Sequence, residues 1–287
     1  MILIVGFFVV FASIYIGYTM HGGSIAVLIQ ISEFIIIGGA GLGALLIGNS
    51  WAVVKRIVVD SLALLKPDPF GRKAHKELLQ VLYEIFYIAR RDGLIGVESH
   101  VEDPGSSDVF RKYPGFQKNH HAVDFLADTL KVLLSGTVAD HHLSEILDLD
   151  LDQVHEEAMV VPLSVARIGD AMPGFGIVAA VLGVIITMGK IGGEPSVIGE
   201  SVAAALVGTF LGVLLAYGVI GPMAQAMEAR VRSEHDYLRC IRTAVLSFAR
   251  GDAPLTSVEF ARRSIPPEHR PTFTDLEAIT SGQAAAR

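Results

Sequence analysis

The chain has 287 residues, 51% of them hydrophobic and 18% charged, with a mean hydropathy of +0.49. That balance is too apolar for an ordinary water-soluble domain and points to several membrane spans. The formal net charge of -7 leaves no basic footprint for nucleic acid, and the lone Cys240 cannot form an internal disulfide.

Residues 2–20 form the first apolar run. No basic residue precedes it and it has no small-x-small cleavage site followed by a soluble domain, so it reads as a retained helix and not a signal peptide. A second run covers 34–54 and includes "IIIGGAGLGALLIG", where Gly39 and Gly43 form a small-xxx-small pair that lets helix backbones approach closely. Next comes a polar, helical stretch. "HKELLQVLYEIFYIARR" sets Leu78, Leu82, Ile85 and Ala89 along one stripe, with Gly93 available to end it. "AVDFLADTLKVLLSG" stops in the same way at Gly136, and "EILDLDLDQVHEEAM" is an acidic third helix.

Two more apolar runs follow, at 173–189 and 201–223. A hydrocarbon core takes roughly 20 helical residues, so the third run spans only if it continues from "PLSVARIGDAM" before it. The fourth contains a second small pair, Gly208 and Gly212. It continues into "AQAMEARVRSEHDYLRCIRTAVLSFARG", a helical extension of about 42 Å at 1.5 Å per residue. A Pro-rich tail, "IPPEHRPTF", breaks the periodicity and leads to small, polar residues expected to be loose.

Of the 23 Lys and Arg, 13 lie within 53–168 and nine follow residue 222, while the two connecting loops 20–33 and 190–200 hold only Lys190. The positive-inside rule then makes both termini and the middle segment cytoplasmic. The expectation is an all-α polytopic membrane protein with four transmembrane helices and a helical cytoplasmic domain. It divides as 1–54 (two spans), 55–168 (cytoplasmic), 169–223 (two spans) and 224–287 (cytoplasmic helix and tail).

As drawn, none of the four spans contains Asp, Glu, Lys, Arg or His, the usual carriers in proton pumps. Thr209, Tyr217 and Thr187 are polar groups within them. Such residues either satisfy backbone carbonyls or line a pathway that another chain completes with its own carboxylate. Pro173 and Pro222 lie near the cytoplasmic ends of the third and fourth spans, at one expected depth, with Gly174 and Gly221 beside them. Each proline removes a backbone donor and crowds the preceding turn, which suggests paired hinges. A proline in a first helical turn would also fit without any hinge role.

"IGDAMPGFGIVAAVLGV" at 168–184 and "LVGTFLGVLLAYGVIGP" at 206–222 resemble the MotA family, stator subunits of the bacterial flagellar motor. "GYTMHGGS", "GGAGLGALLIGN" and "VEFARRSI" extend that resemblance nearly end to end. It implies a subunit that forms, with MotB, a proton channel driving torque on the rotor protein FliG. It also implies a homo-oligomer around a MotB dimer, expected to be a pentamer, in the bacterial inner membrane. The partner would supply the missing acid. The resemblance assigns Pro173 and Pro222 to ion coupling, and Thr209, Ala180 and Tyr217 to the ion path. Ala180 stands where sodium-driven relatives carry a second hydroxyl, which implies H+ as the transported ion and no cofactor. Arg90 and Glu98 in "ARRDGLIGVESHVEDP" match the rotor-facing charge pattern, with Arg91 and an acid near Asp150 as further candidates.

Two other readings compete. An ExbB- or TolQ-like proton-driven energiser shares the channel core but usually has three spans. An enzyme or metal protein would rest on the doublets His120, His121 and His141, His142; adjacent helical residues diverge by about 100°, and no HExxH or Cys pair accompanies them. The chain is therefore read as a non-enzyme.

Overall fold

The computed structural model describes residues 2–136, 140–192 and 194–278. The helices are α1 (Ile2–Met20), α2 (Ile25–Leu28), α3 (Ile31–Gly48), α4 (Trp51–Ala63), α5 (Arg72–Asp92), α6 (Glu98–Glu102), α7 (Asp108–Arg111), α8 (Pro114–Gln117), α9 (His120–Leu134), α10 (Asp140–Met188), α11 (Pro195–Leu214), α12 (Gly221–Ala249) and α13 (Pro254–Ser264). A π-helical segment, Leu215–Ile220, joins α11 to α12. No strand occurs among the described residues. Four stretches are long and apolar enough to cross a membrane: Leu3–Met20, Ile25–Gly48, His141–Met188 and Pro195–Ala249.

The chain forms two compact units. One takes Met1–Pro67 with Ala158–Arg230, the other Asp68–Glu157 with Val231–Arg287. These divisions stand beside boundaries drawn at 54, 168 and 223; α10 and α12 run on from one unit into the other. Apolarity marks where lipid would be, not where a helix stops.

In the first unit, the helix of the second span, α3, runs Ile31–Gly48 and does not reach residue 54. Asn49 and Ser50 take extended backbone angles and break the helix there. Both are residues whose side chains compete with helical hydrogen bonds. Asn49 Nδ2 donates to Leu45 O at 2.9 Å and its Oδ1 accepts from Ser164 Oγ at 2.7 Å, while Ser50 caps α4 by accepting from Val53 N. The third span, by contrast, does continue from "PLSVARIGDAM": α10 is unbroken over 49 residues, with Pro162 and Pro173 inside it.

The second unit has an ordinary apolar core. Leu78, Leu82 and Ile85 are fully buried and Ala89 nearly so. Phe86 stacks flat on Phe248 of α12, ring centroids 4.5 Å apart. Gly93 (φ 78°) and Gly136 (φ 68°) follow α5 and α9 in the left-handed region, where a side chain would be strained. The tail is more structured than expected: Arg262 Nη1 reaches Pro271 O, and Arg270 donates to Ile265 O and Arg263 O. These bonds replace the helical periodicity that "IPPEHRPTF" lacks. The small, polar residues expected to be loose, from 279 on, lie outside the described residues. Cys240 is enclosed, and burial pushes its thiol up to about 12.

Candidate functional site

The first unit is built on the approach of α10 to α11. Gly169, Gly176 and Gly183 recur every seven residues on α10, a spacing that keeps them on one helix face. A Cβ at Gly176 would stand 2.7 Å from Gly208 O and 3.3 Å from Thr209 Cα, and one at Gly212 would stand 2.6 Å from Met172 O. One at Gly183 would meet Ala205 Cβ at 2.8 Å. The two backbones are thus nearly in contact, which only glycine permits. Gly208 and Gly212 serve this internal packing, whereas Gly39 and Gly43 face open space in the single chain.

This approach brings together several residues singled out in the sequence. Thr209 lies against Gly176, the Ala180 backbone nitrogen against Gly208, and the residue before Pro173 offers its carbonyl to Gly212. Thr187 is satisfied locally, donating to Gly183 O at 2.8 Å. Tyr217 is not part of the cluster: it is 73% exposed in the single chain.

Along the contact of α10 with the segment around Gly221, the prolines are offset. Gly169 packs opposite Gly221, the neighbour of Pro222, whereas Pro173 is one helical turn further along α10, about 6 Å at 1.5 Å per residue. The backbone also treats them differently. Pro173 sits within regular helix, but Pro222 follows the π-helical Leu215–Ile220, where the Gly221 N–H donates to Ala216 O five residues back. The wider turn relieves the crowding that Pro222 would impose on the carbonyls before it. Beside it lies a cavity of about 150 Å³ lined in part by Pro162, Ala166, Asp170, Gly221 and Glu228.

In the second unit, Arg90 and Glu98 are both exposed, and neither makes an ion pair among the described residues. Arg91 is engaged: it grips Asp92 through two hydrogen bonds, at 2.8 and 2.6 Å, and lies 6.0 Å from the Tyr87 ring. The Asp92 carboxylate raises the guanidinium pKa further. In the acidic stretch, Asp148 is held by Arg242 at 2.6 Å, while Asp150 is exposed.

Two family models match the chain: "Motility protein A N-terminal" over residues 4–93 and "MotA/TolQ/ExbB proton channel family" over 117–239. Motility protein A of Salmonella typhimurium is 34% identical over 96% of this chain and 94% of its own length, and that of Escherichia coli K12 gives the same values. The chain belongs to the MotA family. It is a membrane-bound motility protein of the proton-channel class. The fold agrees: the C. jejuni MotAB structure superposes with a TM-score of 0.76 over 94% of this chain and 98% of that one, at 19% identity. The Bacillus subtilis flagellar MotAB stator gives 0.69 over 89% and 92%, at 20% identity.

One residue of this MotA-family chain escaped sequence reasoning. Glu33 was assigned to an outer loop, and the spans were read as free of acids. In the structure it lies within α3, only 4% exposed, with Oε2 lacking any hydrogen-bond partner. The signal was its place two residues before "IIIGG", too near the apolar run to be outside the helix. Of the histidine doublets, His121 pairs with Glu234 at 2.9 Å and His141 packs on His142; among the described residues no three metal-ligating side chains converge.

Proposed function

We propose that the chain is a stator subunit that forms a homo-oligomer, expected to be pentameric, around a dimer of MotB in the bacterial inner membrane. Both termini lie in the cytoplasm, as the distribution of Lys and Arg supports. Protons moving past Thr209 and Ala180 to a carboxylate on MotB drive α10 and α11 to shift, and Arg90 and Glu98 pass the motion to FliG. The observation that carries this reading is the near-contact of α10 and α11 beside the two prolines. The "Motility protein A N-terminal" match favours it over the energiser alternative.

A charge crossing 100 mV releases about 2.3 kcal/mol, enough to change a two-state ratio nearly fiftyfold but far less than unpacking two helices would take. A backbone already widened at the π-helical segment, and a proline at 173 that removes one helical donor, suit so small a drive. Arg90 is the better rotor contact of the two arginines, since Arg91 is already bound to Asp92.

The test is replacement of each proline by Ala. Pro173→Ala and Pro222→Ala are expected to abolish swimming while the complex with MotB still assembles in membranes. Normal swimming in both variants overturns the hinge role. Swimming that collapses with a protonophore and ignores sodium supports H+ as the ion; sodium-dependent speed refutes it.

A further inference from the structure

Glu33 occupies a specific place. A Cβ on Gly208 would come within 2.6 Å of Glu33 Oε2, 3.1 Å of Ala179 Cβ and 3.3 Å of the Ala180 nitrogen. The carboxylate therefore lies over the groove where α10 and α11 come closest, beside Ala180 and one residue from Thr209. The missing side chain at Gly208 is what makes room for it. Among the described residues no Lys, Arg or His pairs with this acid, and Oε2 accepts no hydrogen bond.

The Glu33 carboxylate has a side-chain hydrogen bond with Ser32 that leaves Oε2 unmatched; a buried carboxylate satisfied on only one oxygen is costly to keep charged in an apolar helix, and acids held within membrane helices mark ion pathways. Its place in the first turn of α3 puts it on the side of the bundle where α3 and α11 begin.

Resting on the ion-path reading above, we propose that Glu33 is a second proton-binding site, supplied by this chain itself. It takes a proton from water on the side where α3 begins to form the carboxylic acid. It then releases that proton past Ala180 and Thr209 towards the acid on the partner. The step is a proton transfer between oxygen atoms, with no change of oxidation state. Each copy in an oligomer would carry one such site, so the ring would hold several proton-loading points around its central acids.

The test uses the full complex, co-expressed with its partner in native membranes. Glu33→Gln preserves shape and removes the titrating group; swimming speed is expected to fall at least tenfold with assembly unchanged. Glu33→Asp is expected to keep part of the speed and to change its dependence on external pH. Wild-type speed and pH profile in E33Q overturn the proposal. If E33Q does not accumulate, infrared titration of the wild-type complex decides. A carboxyl stretch that follows bulk pH and moves in E33D supports the site, and the lack of such a band refutes it. A wild type that swims undisturbed by a protonophore would instead defeat the ion-path reading, whatever the infrared result.

Discussion

The two units of this chain are held together by opposite means. In the second, large side chains close on one another: Phe86, Phe110, Phe116, Leu82 and Leu126 are fully enclosed. In the first, many large residues point outward, with Ile47 90% and Phe8 73% exposed, small clusters such as Ile37, Met172 and Leu211 are buried, and the closest contacts are made by Gly176, Gly208 and Gly212. The difference follows from the solvent. Burying a Leu or Phe away from water stabilises by about 1.5–3 kcal/mol. Lipid is as apolar as those side chains, so their burial yields little there, and helices associate through close backbone packing.

The comparison breaks most visibly at its tightest points. Gly176→Val and Gly212→Val each drive a side chain into a neighbouring carbonyl, at Gly208 O or Met172 O, and are expected to eliminate both the membrane complex and motility. Native gels and swimming assays check this, and an assembled, motile variant refutes backbone contact as the organising feature. Gly39→Ala, on an open face, leaves the single chain's packing unchanged, so any loss of assembly there reports contact with another chain.

The second unit should respond to lost volume. Phe86→Ala removes the stack on Phe248 and is expected to cost about 3–5 kcal/mol, read as a lower unfolding temperature of the purified protein. Little change would mean that the α5–α12 contact is not a stability centre.

A smaller effect separates the units by pH. Burial holds His75 below its ordinary value of 6.5, with nearby His269 acting in the same direction. The unfolded chain therefore takes up a proton before the folded one as pH falls. The stabilisation is fully present above pH 6.5 and is lost on acidification below it, by at most ~1.4 kcal/mol per pH unit. His75→Gln should flatten that slope in a thermal scan taken between pH 5 and 8. An unchanged slope would assign the acid sensitivity elsewhere.

Much of the second unit was legible in advance, because an amphipathic stripe such as Leu78, Leu82, Ile85 and Ala89 reports its own burial and Gly93 and Gly136 announce helix ends. The α10–α11 contact was legible only as composition. The sequence displays Gly176 and Gly208, yet it does not say whether they face each other or another chain. Of the residues assigned to the ion path, Ala180 and Thr209 come together and Tyr217 turns away, a choice set by the rotation of α11 against α10. The offset of the prolines arises from the same register.

By itself, then, the sequence determined the four spans, the helical character of the polar segments and the family, since hydropathy, periodicity and motif strings are properties of neighbours along the chain. Only the tertiary structure decided that Pro222 lies behind a π-helical turn, that Arg91 is held by Asp92 while Arg90 has no ion pair among the described residues, and that Glu33 sits buried against Gly208. Each of these depends on backbone geometry or on which side chains meet across helices, and a residue's identity does not reveal what stands opposite it until the helices have packed.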